Sequence, residues 1–428
     1  MHLTPEQEAI GRRNFLRALA GTPALAALGA AAAINGPVRG GPVRVGFVGV
    51  GAQGRVLLTN TDPAFAEVRA LCDINPASLA KADEIIARRS APPAHHYVEW
   101  RDMLEKEDLE AVIMAPPLWM HADIAGGCLD AGKHVLCEKM MAWDVPSCER
   151  MKTAAEKNGR ILEIGYQRNY NPMYQAAFDG VVKPGVLGDI YHVRLAWHRN
   201  SNWRRKGEKP TPDYDASRWG YPTFDHLWNW RLYWRYSKGL LAELASHQVN
   251  VANWFFGVPP SAVSATGGLY RFKDGVREVY DHVYATFEYP GGRTAAFSSI
   301  ESNAFDDYYE AFFGTKGTLI LRHERDALLF DEGSEAARAT SIEVSPKNAG
   351  PALDASESRS AEAAGSFKSG APEKIERVAA YRLEVSGFCA SIRTGKPLLC
   401  GPDRAIGSAK ACIRAAEAVE KKATRLSV

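Results

Sequence analysis

The chain lacks the cysteine patterns that mark metal sites and disulfide frameworks. It has seven cysteines in 428 residues, and none stands in a CxxC pair or a Cys/His cluster, so we expect most of them to be small core residues. The net charge of +2 leaves no basic excess of the kind that nucleic-acid binding requires. The length is enough for two domains, each with its own core.

The chain also has no long uninterrupted apolar segment near its start. The run from Ala18 to Ala33 is short and rich in Ala and Gly, which disfavours a transmembrane helix. It follows Arg12-Arg13-Asn14-Phe15-Leu16-Arg17, so the pair resembles a twin-arginine export signal with small-residue cleavage options around Ala31 to Ala33. Gly11 stands where Ser or Thr is usual, and a helical N-terminal extension is the alternative interpretation.

We therefore assign residues 1–36 to a signal and linker outside the fold. A twin-arginine signal implies that the chain folds in the cytoplasm, binds the twin-arginine export machinery and reaches the periplasm already folded.

The most informative motif follows this segment. An apolar stretch, Val45 to Val48, runs into Gly49-x-Gly51-x-x-Gly54, with Gln53 inside the loop. These glycines permit a tight turn and close approach to a pyrophosphate, which the N-terminus of the next helix would bind. A second strand, Val68–Cys72, ends at Asp73 about 20 residues on, where a carboxylate accepts from a ribose 2′-OH and repels a 2′-phosphate. NAD is therefore favoured over NADP.

Alternating strand and helix patterns continue to about residue 165 and predict a doubly wound parallel sheet, the Rossmann α/β class, over 42–165. Strands are expected at 43–48, 68–72, 111–115, 134–137 and 161–164, with helices at 77–89 and 121–131.

Beyond Gly188 the apolar period changes to two, which predicts an open antiparallel sheet in an α+β domain over 166–428. Such a sheet suggests a homo-oligomer, a dimer or a tetramer. The Ala/Ser/Glu-rich segment 333–374 is predicted to be a long mobile surface loop, and helices are expected from about 375 to 420.

Three ordered motifs resemble the Gfo/Idh/MocA oxidoreductases, a family of sugar and polyol dehydrogenases. Pro117 and His121 match its Pro-x-x-x-His, and Ala131-Gly132-Lys133-His134-Val135 through Glu138-Lys139 match its AGKHV…EKP motif, with Met140 in place of the usual proline, which often follows a cis bond. The resemblance implies that Pro117, His121 and Glu138 lie near the cofactor. Lys139 follows a strand's carboxyl end, where ligands bind in such sheets, and could bind the substrate oxygen and carry protons.

A third motif lies on a predicted helix. Glu243, His247, Asn250 and Trp254 recur at helical spacing and would share one face, opposite an apolar row. A carboxylate one turn before a histidine can orient the imidazole, so we predict that His247 is the general acid/base and that Glu243 supports it. The family has Asp where Glu243 and Asn250 stand, and a structural histidine is the alternative.

Aromatic residues are concentrated in one stretch. Seven of the ten tryptophans lie between Trp197 and Trp254, interleaved with arginines, and could bind sugars or form a core. Trp230 and Arg231 are candidates for substrate binding. The stretch Gly165-Tyr166-Gln167-Arg168-Asn169-Tyr170 resembles the glucose–fructose oxidoreductase branch, which implies that Arg168 and Tyr170 contact substrate. Asn250, on the helix motif, is a further candidate for substrate binding.

Together these patterns predict an NAD(P)-dependent oxidoreductase that acts on a CH–OH group of a carbohydrate. An exported enzyme would meet little free cofactor, so we expect NAD to be tightly bound and recycled, as when one sugar is oxidised and another reduced. The alternatives are a glycoside-cleaving enzyme that uses one bound NAD, and a non-catalytic dinucleotide-binding sensor.

Overall fold

The computed structural model describes residues 3–20, 22–23, 40–89, 91–206, 211, 214–332, 344–347, 350–353 and 372–428. The possible cleavage site near residues 31–33 lies outside the described residues, as does most of the segment 333–374. No helix within the described ranges is both long and apolar enough to cross a membrane.

The first domain is the expected parallel sheet, with helices between its strands. The order of its six strands is β3-β2-β1-β4-β5-β6, and every neighbouring pair is parallel. The strands are β1 (Val43–Val48), β2 (Ala66–Cys72), β3 (His95–Tyr97), β4 (Ala111–Met114), β5 (His134–Glu138) and β6 (Leu162–Gly165). The intervening helices are α2 (Ala52–Thr59), α3 (Pro76–Ala87), α4 (Trp100–Lys106), α5 (His121–Asp130) and α6 (Val145–Asn158). All five predicted strands are confirmed; β3 is too short and too polar to show a periodic pattern.

The second domain is built on an eight-stranded sheet in the order β13-β12-β11-β7-β10-β9-β8-β16. Its strands are β7 (Ile190–His198), β8 (Ala262–Gly268), β9 (His282–Tyr289), β10 (Arg293–Ile300), β11 (Tyr308–Gly314), β12 (Gly317–Arg322), β13 (Asp326–Asp331) and β16 (Leu426–Ser427). The sheet is mixed rather than wholly antiparallel, because its central strands β7 and β10 run parallel. Alternating residues could not reveal this, since both strand directions share the period of two.

Helices cover the inner face of this sheet. Helix α9 (Ser246–Phe256) is buried along its whole length, and Gln248 donates from its Nε2 to the carbonyls of Ala196 (3.1 Å) and Tyr309 (2.9 Å) on adjacent strands. Helix α11 (Pro402–Lys421) packs against it. The remaining helices of this domain, α7 (Pro172–Ala177) and α8 (Phe224–Trp228), are short.

Helix α10 (Pro372–Thr394) crosses from the second domain to the first. Its residues Tyr381, Val385, Phe388 and Cys389 are buried in the same cluster as the strands of the parallel sheet. The domain division at residue 165 therefore separates α10 from the core that it completes, because a boundary drawn along the chain cannot reveal a helix that returns. All seven cysteines are buried and unpaired, as expected of core residues.

The segment 333–374 contains a hairpin rather than continuous loop. Strands β14 (Val344–Lys347) and β15 (Gly350–Leu353) pair antiparallel, and α10 begins at Pro372.

The N-terminal arginines lie on a helix that packs against the second domain, which corrects the expectation that this part of the chain stands outside the fold. Helix α1 (Pro5–Leu19) buries Phe15 and Leu19, and Arg12 donates from Nε to Asp326 at the start of β13 (2.8 Å). This packing explains why glycine stands at position 11, where Ser or Thr is usual in a twin-arginine signal. A Cβ at this position would lie 2.8 Å from the ring of Phe330 and 2.9 Å from Cβ of Leu328.

We expect the variant Gly11→Leu to displace α1 from the sheet, because the added side chain has no space and overpacking costs about 1–3 kcal/mol. Trypsin should then cleave faster after Arg12 and Arg13, and hydrogen exchange over residues 5–19 should accelerate. Ala9→Leu, on the exposed side of the same helix, is the matched control. Equal protection of the two variants would show that this contact does not hold the helix.

Candidate functional site

A cavity of about 390 Å³ opens between the carboxyl edge of the parallel sheet and the inner face of the second domain. This size is typical of small-molecule sites. Both domains contribute to its wall, which is formed by Gln53, Ala115, Pro116, His121, Glu138, Lys139, Trp197, His198, Arg199, Trp203, Trp230, Arg231, Glu243, Leu244, His247, Asp307, Tyr308 and Tyr381.

The glycine loop at this edge has the shape that a dinucleotide requires. Gly49 has φ +80°, and a Cβ on it would lie 2.8 Å from backbone atoms of the chain after β4. A Cβ on Gly54 would collide with the Gly49 carbonyl, whereas one on Gly51 would meet no atom within 4 Å. Gly51 therefore lies at open space at the N-terminus of α2 (Ala52–Thr59), which is where a pyrophosphate binds.

Asp73 closes this loop from the second strand. Its carboxylate accepts from the backbone N–H groups of Val50 (2.9 Å) and Asn75 (2.8 Å), and each oxygen can still accept another hydrogen bond. Burial raises the pKa of Asp73 to about 6, although those two N–H groups and Arg55 act in the opposite direction. The group is therefore mostly ionised at neutral pH and available to ribose hydroxyls.

His121 anchors the turn after β5. It is buried, with Nδ1 2.9 Å from the carbonyl of Met140 and Nε2 3.2 Å from that of Pro116, and burial lowers its pKa. The peptide bond between Lys139 and Met140 is cis, as the family resemblance implies for the proline that Met140 replaces. Pro117 lies next to the cavity wall, which Pro116 lines instead.

Lys139 and Glu243 join the two domains across the cavity. The Lys139 Nζ donates to the Glu243 carbonyl (3.0 Å) and lies 3.6 Å from its carboxylate, which also accepts from Arg231 Nε (2.9 Å). Burial alone would raise the pKa of Glu243, but Lys139 and Arg231 outweigh it and lower the pKa. Glu243 thus pairs with two cations, which differs from the role of supporting His247 that its spacing predicts.

Glu138 lies beside this pair at the end of β5. Gln53 donates to its carboxylate (2.7 Å), and the Lys139 backbone N–H donates to the other oxygen (3.0 Å). Burial raises the pKa of Glu138, although Lys139 opposes the shift.

His247 lines the cavity as predicted. Its ring packs edge-on against Tyr166 (6.1 Å between centroids) and lies 5.9 Å from the ring of Trp197. The predicted face is confirmed in part, because Glu243 and His247 line the cavity together while Asn250 is buried in the core. Leu244 also lines the cavity, and residues Leu241–Ala245 form a π-helical turn, whose extra residue alters which side chains share a face.

Three predicted substrate contacts are structural. Arg168 is only 1% exposed and pairs with two buried carboxylates, Glu310 and Glu324. Removal of either carboxylate would leave a costly unpaired buried charge, so Arg168 belongs to this interior network and not to the cavity wall.

Tyr170 and Asn250 also lie away from the cavity. The Tyr170 ring packs against Gly387 of α10, and Asn250 accepts from Asn169 (2.7 Å) and donates to Ser408 (3.2 Å). Sequence motifs identify such residues as polar but do not show which way they point.

The aromatic stretch forms a strap across the cleft. We call residues 199–206 and 214–238 the aromatic strap. Three hydrogen bonds join it to the first domain: Tyr214 donates to the Ile74 carbonyl (3.1 Å), Trp119 Nε1 donates to Tyr221 (2.7 Å), and Trp143 Nε1 donates to the Trp234 carbonyl (3.2 Å). Trp230 and Arg231 line the cavity as predicted.

Sequence reasoning missed a group of wall residues on the sheet and on α10, namely His198, Arg199, Asp307, Tyr308 and Tyr381. Tyr308 stacks on Trp197 (5.0 Å between centroids), and Asp307 has φ +52°, which is rare for a residue other than glycine. The aromatic concentration was the one available signal, because the strand pairing that brings β7 beside β11 is not visible in the sequence.

Comparison with known proteins identifies the family. Residues 43–166 match the model described as "Oxidoreductase family, NAD-binding Rossmann fold", and residues 177–320 match the "GFO/IDH/MocA C-terminal domain". The chain therefore belongs to the Gfo/Idh/MocA oxidoreductases, and its first domain is an NAD-binding Rossmann domain.

Individual relatives show the range of the family. A glycosyl hydrolase family 109 protein of Shewanella baltica is 28% identical over 198 residues, which cover 45% of this chain and 39% of that protein. An inositol 2-dehydrogenase of Salmonella paratyphi B is 30% identical over 188 residues, 43% and 52% of the two chains. The match spans about half or less of each curated relative.

A solved structure extends the likeness of fold over nearly the whole chain. The aldose-aldose oxidoreductase of Caulobacter crescentus, complexed with glycerol, superposes with a TM-score of 0.64 at 21% identity and covers 90% of this chain and 100% of its own.

The pKa of Asp73 predicts how NAD affinity depends on pH. Ribose hydroxyls donate to the ionised carboxylate, so binding lowers the pKa from its ligand-free value of about 6, and affinity is full above that pH. At pH 5 we expect affinity about tenfold lower than at pH 7 by linkage. Calorimetric titration of NAD should show this fall, and Asp73→Asn should remove it. A pH-independent affinity of the unmodified protein would exclude Asp73 as the ribose acceptor.

Proposed function

We propose that this protein is an NAD-dependent oxidoreductase that transfers hydride from a CH–OH group of a carbohydrate. The observation that carries the proposal is that Lys139, at the nucleotide edge, and His247, on the second domain, line one cavity. Binding of a dinucleotide alone would require neither residue, which disfavours a non-catalytic sensor.

The chemistry of each residue suggests its step in the reaction. Bound NAD supplies the hydride acceptor. His247 removes the hydroxyl proton of the substrate, and Lys139 donates a hydrogen bond to the same oxygen and stabilises its developing negative charge. Glu243 pairs with both Lys139 and Arg231, and this ion pair holds the Lys139 ammonium in position before substrate arrives.

The other wall residues suit a sugar. Trp197, Trp203, Trp230 and Tyr308 contribute aromatic rings to the wall, and Arg199 and Asp307 contribute a guanidinium and a carboxylate. Proteins bind the C–H faces and the hydroxyls of sugars with these kinds of groups. Arg199 donates to Glu301 (2.6 Å) through one nitrogen, while its Nε has no partner among the described residues.

The twin-arginine pattern supports a periplasmic location, where free NAD would be scarce. We therefore propose that the cofactor is exported bound and is returned to its starting state in each cycle, with a second carbonyl compound as the acceptor. An aldose-aldose oxidoreductase has a similar fold. We also propose that the protein forms an oligomer through its open sheet.

A glycoside-cleaving reaction is the second candidate. The matched glycosyl hydrolase family 109 protein favours it, and oxidation, elimination, addition of water and reduction on one bound NAD would use the same two residues. Like the paired-sugar reaction, it consumes no external cofactor.

The variant Lys139→Ala tests the role of the lysine. Turnover should fall by about two to four orders of magnitude, since acid–base and electrostatic help to the reacting oxygen is lost. NAD content and affinity should remain near normal. Lys133→Ala is the control, because its Nζ donates to the Leu109 carbonyl (2.9 Å) outside the cavity. Near-normal turnover of Lys139→Ala would contradict the assignment.

Mass spectrometry of nucleotide released on denaturation tests the closed cycle. We expect about one NAD for each purified chain, and product analysis with paired sugars and with glycosides then separates the candidates. Oxidised and reduced sugars in equal amounts indicate the paired reaction, whereas free sugar without net oxidation indicates glycoside cleavage. Empty protein that is active only with added NAD would indicate an ordinary dehydrogenase with exchanging cofactor.

A further inference from the structure

The aromatic strap has a small apolar core of its own, and a residue of the first domain packs against it. The indole of Trp119 lies with its ring centroid 5.7 Å from that of Tyr221 and 5.6 Å from that of Tyr236, two buried members of this core. Gly220 permits the close approach, since it has φ +81° and a Cβ on it would lie 3.0 Å from the Trp119 ring. Trp119 therefore holds the strap to the turn that follows β4.

A second contact holds the strap to the turn that follows β2. There Tyr214 donates to the carbonyl of Ile74 (3.1 Å), whereas Tyr221, seven residues further along the strap, accepts from Trp119 Nε1 (2.7 Å). Strand β1 lies between β2 and β4 in the sheet, and the glycine loop continues directly from it. The strap segment 214–221 therefore runs from the end of β2 to the end of β4, across the carboxyl end of β1.

A bound dinucleotide follows the same path. In sheets of this kind the pyrophosphate lies at the N-terminus of the helix after the first strand, and the ribose lies at the acid that ends the second strand. Here that acid is Asp73, which directly precedes Ile74. Trp230 and Arg231 of the strap line the same cavity as Gln53 of the glycine loop. The nucleotide site thus has the glycine loop on one side and the strap on the other.

A third contact holds the far end of the strap beyond β5. Trp143, four residues after Lys139, donates from Nε1 to the carbonyl of Trp234 (3.2 Å), and Nζ of Lys238 lies 3.6 Å from the centroid of its ring. The strap is therefore attached beyond the ends of β2, β4 and β5. Each attachment consists of one hydrogen bond, with ring packing or a cation–π contact at two of them, so a local opening costs far less than unfolding.

We propose that the strap segment 214–221 forms the outer wall of the nucleotide site, and that NAD enters and leaves only when the contacts of Tyr214 and Trp119 with their partners open. The two residues are positioning residues that act through the strap. The inference rests on NAD binding by the first domain and not on the sugar chemistry. It explains how the cofactor could stay bound through the closed redox cycle proposed above.

The test measures exchange of NADH by stopped-flow fluorescence, without any sugar. Release is followed after the complex is mixed with excess NAD, and uptake after nucleotide-free protein is mixed with NADH. Tyr214→Phe removes only the hydroxyl, and release should be about fivefold faster, as expected for loss of one hydrogen bond. Trp119→Phe loses the donor to Tyr221 and part of the ring packing, so release should be about tenfold faster or more.

Uptake of NADH distinguishes an enclosing wall from a direct contact with the nucleotide. If the same opening admits and releases NADH, each variant should accelerate uptake about as much as release, and the affinity should change little. Tyr289→Phe is the matched control, because it removes a hydrogen bond to Asn253 (2.7 Å) within the second domain and should leave both rates normal.

Unchanged release of NADH in both strap variants would overturn the proposal. Faster release with normal uptake would also overturn it, since that result would indicate lost contacts to the nucleotide itself. A protein that exchanges NADH as expected but oxidises no sugar would support the enclosing strap while the proposed reaction fails, so the two failures are distinguishable.

Discussion

The buried carboxylate of Glu243 constrains the arrangement of the whole cleft. A charge removed from water must be paired, and its partners are Arg231 on the strap and Lys139 from the other domain. This requirement ties the orientation of the domains to the position of the lysine ammonium. The cavity is therefore shaped by an ion pair that also prepares the group expected to act on substrate.

The same rule explains why polar residues near the site divide into two groups. Arg168, Gln248 and Asn250 are buried and bonded to neighbouring elements, so they stabilise the second domain beneath the cavity. Arg199, by contrast, lines the cavity, and its Nε has no partner among the residues that the structure describes. The difference between structure and binding lies in whether hydrogen-bond capacity is already satisfied.

The first domain was predictable because its signals are local. The glycine loop, the acid at the end of the second strand and Lys139 after the fifth strand each depend on a short run of sequence and on a rule about parallel sheets. Helix α10 was assigned to the other domain because its packing partners lie more than 200 residues away. The packing of helix α1 was not predicted for a related reason, since its twin-arginine pattern resembles an export signal whether or not the helix packs against the sheet.

The sequence by itself determined the fold class, the dinucleotide loop and two residues of the cavity wall, Lys139 and His247. Those residues follow from periodicity and from motifs whose members are close in the chain. Only the tertiary structure decided that Glu243 pairs with cations, that Arg168 is buried and that the strap spans the cleft. These contacts join residues from distant elements, and their free energy depends on burial and pairing, which no local pattern records.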